Sequence, residues 1–248
     1  MSEKNYNFMV YGDSITKGIV YDPEKSRYVT LKDNFTSLVE QHVKANIQNA
    51  GKFGNTILRA FNRMNNEIIR KNPDLVLLEF GGNDCDFDWT EIALNPEAEH
   101  KPKTDINLFS KTLTEMIATL KDNKILPMLM TLPPLDSEKY FKWVTKGNEA
   151  AEKNVLKWMG NNIDTIYYWH QKYSEAITNV AKDTKTLLID VRNSFVNNDD
   201  YKKYICVDGI HPNVNGHKFM ANVILNYIKN NYKFLIDGTS NVTALSKI

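Results

Sequence analysis

Leu75-Val76-Leu77-Leu78-Glu79-Phe80 runs directly into Gly81-Gly82-Asn83-Asp84. A short, nearly unbroken apolar run closed by two glycines reads as a strand buried on both faces, the kind found inside parallel sheets. Four comparable runs lie to either side: 7–11 ending at Gly12, 46–50, 125–131 before Pro133-Pro134, and 186–190. Amphipathic stretches at helical spacing separate them, over 31–43, 56–71, 105–121 and 214–231. In the first, Leu31, Phe35, Leu38, Val39 and Val43 share one stripe. Strand alternating with helix at this spacing predicts βαβ units and a three-layer α/β/α sandwich. No internal repeat interrupts the pattern, and 1–248 is expected to form one domain. The stretch 134–185 is longer than one connection needs. It predicts a helical, aromatic-rich insertion near 134–170, with a helix near 144–159 and another near 162–182. Residues 233–248 read as a tail, and 85–103 as a polar loop.

Composition excludes several classes of function. The chain has 248 residues, 42% hydrophobic and 25% charged, which is ordinary for a globular protein that needs no disulfides or metals to build a core. Lys plus Arg is 31 and Asp plus Glu is 30, a formal net charge of +1. That balance gives no electrostatic case for nucleic acid or an anionic membrane as partner. Two cysteines, Cys85 and Cys206, rule out a disulfide framework and a CxxC zinc site, and the five histidines lack HExxH spacing. No GxGxxG or Walker A motif occurs, so neither metal nor cofactor is expected. No signal-peptide pattern and no run of about 18 apolar residues is visible, so a cytoplasmic location is the expectation. Asn34-Phe35-Thr36 and Asn241-Val242-Thr243 match the glycosylation pattern by chance on that reading.

Active residues of an open parallel sheet gather outside the carboxyl ends of its strands. Gly12-Asp13-Ser14-Ile15-Thr16 follows the first predicted strand, Gly51-Lys52-Phe53-Gly54-Asn55-Thr56 the second, and Gly81-Gly82-Asn83-Asp84 the third. A loop ending in Asp208-Gly209-Ile210-His211-Pro212 follows the last. Acyl transfer needs a nucleophile, a base, a group that orients the base, and donors for an oxyanion. Ser14 supplies a hydroxyl, although serine is also a favoured helix cap. His211 supplies an imidazole. Asp208, three residues earlier, is placed to accept a hydrogen bond from Nδ1–H and leave Nε2 for the serine. Backbone N–H groups of Ser14 and Gly54 and the Asn83 amide make a candidate set of three oxyanion donors, with Gly51 an alternative to Gly54. Asp13 and Asp84 are expected to hold their turns, and His217 to be a helix residue outside the site.

These four blocks resemble those of the SGNH hydrolases, the GDSL family of esterases and lipases. Gly12-Asp13-Ser14-Ile15-Thr16 is similar to the family's first block, with Ile where the eponymous Leu stands. Gly54, Gly81-Gly82-Asn83-Asp84 and Asp208-Gly209-Ile210-His211 are similar to the other three, in the family's order over residues 12 to 212. The resemblance implies Ser14, Asp208 and His211 as a catalytic triad, and Ser14, Gly54 and Asn83 as the oxyanion hole. It also implies a flavodoxin-like fold with a five-stranded parallel sheet. The expected substrate is a small-molecule ester, above all an O-acetyl group on a carbohydrate or related metabolite. A lipase, lysophospholipase or thioesterase for longer acyl chains is the alternative, though no apolar trough is visible in the sequence. A binding module on the same fold and a nucleotide-binding protein are weaker readings.

Trp89, soon after the third block, and Cys85, next to it, are candidate pocket residues. Trp143, Trp158 and Trp169, with Tyr140, Phe141, Tyr167 and Tyr168, cluster in 140–170. Packing of the insertion onto the body accounts for most of these aromatics.

Overall fold

The computed structural model describes residues 6–198 and 200–237. Its strands are β1 (Tyr6–Gly12), β2 (Ile19–Asp22), β3 (Arg27–Thr30), β4 (Ala45–Asn49), β5 (Leu75–Glu79), β6 (Leu126–Met130) and β7 (Leu187–Ile189). The helices are α1 (Ser14–Lys17), α2 (Phe35–Glu40), α3 (Ile57–Glu67), α4 (Trp89–Leu94), α5 (Ile106–Asp122), α6 (Ser137–Thr145), α7 (Glu149–Trp158), α8 (Thr165–Thr184), α9 (Val191–Val196) and α10 (Val214–Asn231). Five strands form one sheet in the order β4-β1-β5-β6-β7, and every pairing in it is parallel. That is the flavodoxin-like order, in which the chain moves first to one side of β1 and then to the other. The direction reverses between β1 and β5. The crevice therefore opens at their carboxyl ends, where Gly12 pairs with Glu79.

Alternation along the strands builds two cores. Met9, Tyr11, Val76 and Leu78 face α3, α5 and α8, whereas Val10, Leu77, Met128 and Ile189 face α2 and α10. A third apolar cluster, among α4, α6, α7 and the start of α8, meets the first through Trp169.

The five sheet strands, α5, α8 and α10 follow the sequence pattern closely; at several other places the structure corrects it. The 31–43 stripe yields helix only over Phe35–Glu40, because Asn34 caps it by accepting from Thr36 N and Ser37 N. That same Asn34 is buried. The helix expected near 144–159 is two, α6 and α7, broken where Lys146 and Gly147 take positive φ. The 85–103 loop holds α4, capped by Asp88, and 191–196 is helical, capped by Asp190. The antiparallel β2–β3 hairpin, with its Tyr21–Tyr28 cross-strand pair, is too short to leave a periodic signal. Within the expected tail, Lys233–Leu235 is a 3-10 turn and Ile236 bridges to Val43; Asn241 lies outside the described residues.

Candidate active site

β1 ends in Gly12, and the chain turns at Asp13 into α1. Asp13, not Ser14, caps this helix, its Oδ1 accepting from Ile15 N at 2.8 Å. The Ser14 hydroxyl is therefore free for other contacts. It lies 2.9 Å from His211 Nε2. His211 Nδ1 lies 2.6 Å from Asp208 Oδ2. Asp208 Oδ1 accepts from the N–H groups of Ile210 and His211, both at 3.1 Å, so the aspartate is clamped by its own loop. All three side chains are buried. Burial pushes the Asp208 carboxyl up, but the hydrogen bond and charge of His211, with the two backbone donors, outweigh it and hold Asp208 below its ordinary value. It stays an anion facing the imidazole.

The loop carrying this pair is fixed at both ends. Ile205 bridges to Pro212, and Asp136 N donates to Gly209 O at 2.8 Å. Gly209 has φ +81, and a Cβ there would sit 2.3 Å from Tyr140 N, so only glycine lets the loop seat against α6.

Opposite His211 stands Asn83, whose Nδ2 donates to Asp13 Oδ2 at 3.0 Å. One amide hydrogen is thereby fixed and the other is left for a ligand. Beneath lies a buried carboxyl pair, Asp13 and Glu79, which hydrogen-bond each other. Glu79 Oε2 accepts from Thr16 Oγ1 at 2.7 Å, while Oε1 finds no donor. Burial first, and then the charge of Asp13, push Glu79 well above the carboxylate range. Glu79 is thus the member of the pair held towards its neutral form, packed beside the Asp13 that anchors Asn83.

Gly54, with φ +66, lines the cavity beside Ser14. The N–H of the alternative, Gly51, is taken by Asn49 Oδ1 at 2.9 Å. Asp84 ties the third block down, accepting from Ile57 N at 3.0 Å and Thr104 Oγ1 at 2.7 Å. Burial raises its pKa to about 6. His217 lies in α10, accepting from Phe35 N at 3.4 Å, outside the residues that line the cavity.

A cavity of about 390 Å³ opens over Ser14 and runs beneath 85–103 toward α7 and α8. Cys85 and Trp89 both line it. Burial drives the Cys85 thiol well above its usual value, so it is an apolar wall atom rather than a thiolate. Trp89 Nε1 and Tyr140 Oη both donate to Asp86 Oδ1, at 2.7 and 2.6 Å. Tyr140, Trp158 and Trp169 line the cavity as well as packing the third cluster, whereas Trp143 packs against Tyr21 and Tyr28. An aromatic chamber therefore exists where the sequence shows no trough, because its walls come from separate segments. Tyr28, Phe53 and His170 are among the lining residues that the sequence does not point to. Tyr28 stands edge-on to His211 at 5.3 Å, Phe53 stacks near it at 6.4 Å while 58% exposed, and His170 sits on α8. Phe53 had the one available signal, its place next to Gly54.

Residues 10–219 match the GDSL-like lipase/acylhydrolase family. The chain belongs to this family. Among relatives, a GDSL esterase/lipase, CPRD49 of Arabidopsis thaliana, is 26% identical over 63% of this chain and 55% of its own length. An acetylxylan esterase of Geobacillus stearothermophilus is 22% identical over 81% of this chain and 80% of its own. In structure, a lipase/acylhydrolase of Enterococcus faecalis superposes on this GDSL-family chain with a TM-score of 0.67 at 18% identity, covering 95% of this chain and 99% of that one. At that identity the likeness bears on the fold. Among the described residues no helix is long and apolar enough to cross a membrane, and no three His, Cys, Asp or Glu side chains gather to hold a metal ion.

Proposed function

We propose that the protein is a serine esterase that removes O-acetyl groups from a carbohydrate or related small metabolite through an acyl-enzyme. The observation that carries this reading is the hydrogen-bonded line Ser14–His211–Asp208 beside Asn83. Ser14 Oγ attacks the ester carbonyl carbon as His211 Nε2 takes its proton. Asp208 holds the ring in the Nδ1–H tautomer and stabilises the imidazolium. The carbonyl oxygen, now negative, is held by Ser14 N–H, Gly54 N–H and the free Asn83 amide hydrogen. Collapse expels the alcohol, which receives the proton from His211. Water then enters by the same route and releases acetate. Family membership and the acetylxylan esterase relative support the acetyl assignment.

The aromatic wall of the cavity favours a second reading, esters of longer acyl chains. Acetylated xylo-oligosaccharides and p-nitrophenyl esters of rising chain length separate the two, with Ser14→Ala as the blank. Acetyl esters should be turned over best, and Ser14→Ala should lose several powers of ten in kcat at an unchanged melting temperature. An optimum among long-chain esters would select the second reading. Wild-type activity in Ser14→Ala would end both.

A further inference from the structure

An acetyl group is small, and the cavity over Ser14 measures about 390 Å³. On the acetylesterase reading, most of that space belongs to the alcohol half of the ester. His170, on α8, is a buried side chain that lines the cavity. Its Nδ1 lies 3.0 Å from Nη1 of Arg192. Arginine has donors only, so Nδ1 accepts and the ring hydrogen resides on Nε2. Arg192 is itself buried, with its guanidinium 4.6 Å from the centre of the Tyr167 ring, so the tautomer is fixed from behind by a packed cation. Burial first, and then the Arg192 charge, hold His170 well below the ordinary histidine range, and the ring is neutral. Among the described residues the one hydrogen bond of this ring is that to Arg192, and Nε2 is not one of the sealed, unpartnered polar atoms of the interior, so Nε2–H is open to the cavity. A polar hydrogen in such a pocket calls for an acceptor from whatever fills it.

The neighbouring walls are flat and apolar. Phe87 packs edge-on against Trp158 at 5.0 Å and tilted against Trp169 at 5.5 Å, and all three rings line the cavity. Trp169 is pinned by its Nε1, which donates to Cys85 O at 2.9 Å. Aromatic faces with a fixed donor among them suit a ring that is apolar on its C–H face and carries oxygens at its edge, as a sugar ring does. We propose that this chamber is a sugar subsite for the alcohol half of the ester, in which His170 Nε2–H donates to a sugar oxygen. The assignment rests on the acetylesterase reading above. His170 is a specificity residue and takes no part in the bond-making steps.

Mono-O-acetylated xylobiose and phenyl acetate distinguish the two claims, because the phenyl ring offers no acceptor at its edge. His170→Phe keeps a ring and removes the donor. It should raise KM for acetylated xylobiose roughly five- to tenfold, the worth of one neutral hydrogen bond, and leave kcat/KM for phenyl acetate within about twofold. His170→Gln restores both an acceptor for Arg192 and a donor to the cavity, and should recover most of the loss. Free xylobiose should compete with phenyl acetate in the unaltered protein, a measurement that depends on no variant folding. Equal losses on both substrates, an unchanged sugar ester in His170→Phe, no recovery in His170→Gln, or no competition by xylobiose would each overturn the subsite. Ser14-dependent turnover of phenyl acetate without turnover of the sugar ester would overturn the subsite and leave the esterase standing. No Ser14-dependent turnover of either would overturn both.

Discussion

The two walls of the cavity are built on different principles. The wall at the sheet edge carries Asp13, Ser14, Asn83 and His211, and each of these polar groups is fixed by a partner nearby: Asp13 by Ile15 N, Asn83 by Asp13, His211 by Asp208. The facing wall, from α4, α6, α7 and α8, is assembled from aromatic rings of distant segments that hold one another, with few polar anchors such as Asp86 under Trp89 and Tyr140. The first wall holds each reacting group in a hydrogen-bonded orientation, as bond-making requires. The second needs only shape and apolar surface, and so sets what enters the site rather than what is done to it.

That division can be broken by paired substitutions. Asn83→Ala removes one oxyanion donor and should lower kcat by roughly 10²–10³ with little change in KM. Trp158→Ala opens the far wall and should raise KM for acetylated xylobiose roughly three- to tenfold while kcat is kept, because it removes binding common to ground and transition states. Steady-state kinetics of both variants check this. A KM effect in the first and a kcat effect in the second would show that chemistry and selection are not separated in this way.

A smaller effect sharpens the account of the sheet-edge wall. Asp84 has a folded pKa of about 6 against an ordinary 3.8. Between those values the folded chain holds the proton more tightly than the unfolded one, so this group's contribution to stability falls as pH rises through the window. Asp84→Asn removes that dependence at the cost of a constant offset. Relative to the unaltered protein, its stability should improve from pH 4 to pH 7 by no more than about 3 kcal/mol for a shift of two units, read as a relative rise in melting temperature. Parallel melting curves across that range would contradict the buried-carboxyl description.

The same contrast between walls explains what the sequence made legible. Asp208 and His211 are three residues apart, and Ser14 and Asn83 each follow a strand end directly, so local order on the chain carries their placement. The five strands were legible because burial on both faces leaves nearly continuous apolar runs. Gly54 was separable from Gly51 only once Asn49 was seen to occupy the Gly51 N–H. His170, Tyr28 and the chamber itself were not legible. Their roles depend on which faces of α8 and of a hairpin with four-residue strands meet the site, and no spacing along the chain encodes that. The Asp13–Glu79 pair was hidden for a related reason: Glu79 sits in an apolar run, and its neutral state follows from burial beside Asp13.

The account depends most on the pairing of an N-terminal hydroxyl with a C-terminal imidazole, 197 positions apart along the chain. Reaction with a fluorophosphonate probe, followed by intact mass and peptide mapping, reads that pairing directly. One adduct on the Ser14 peptide is predicted, lost in Ser14→Ala and greatly slowed in His211→Ala. Undiminished labelling of Ser14→Ala, or an unaltered protein that resists the probe, would contradict it.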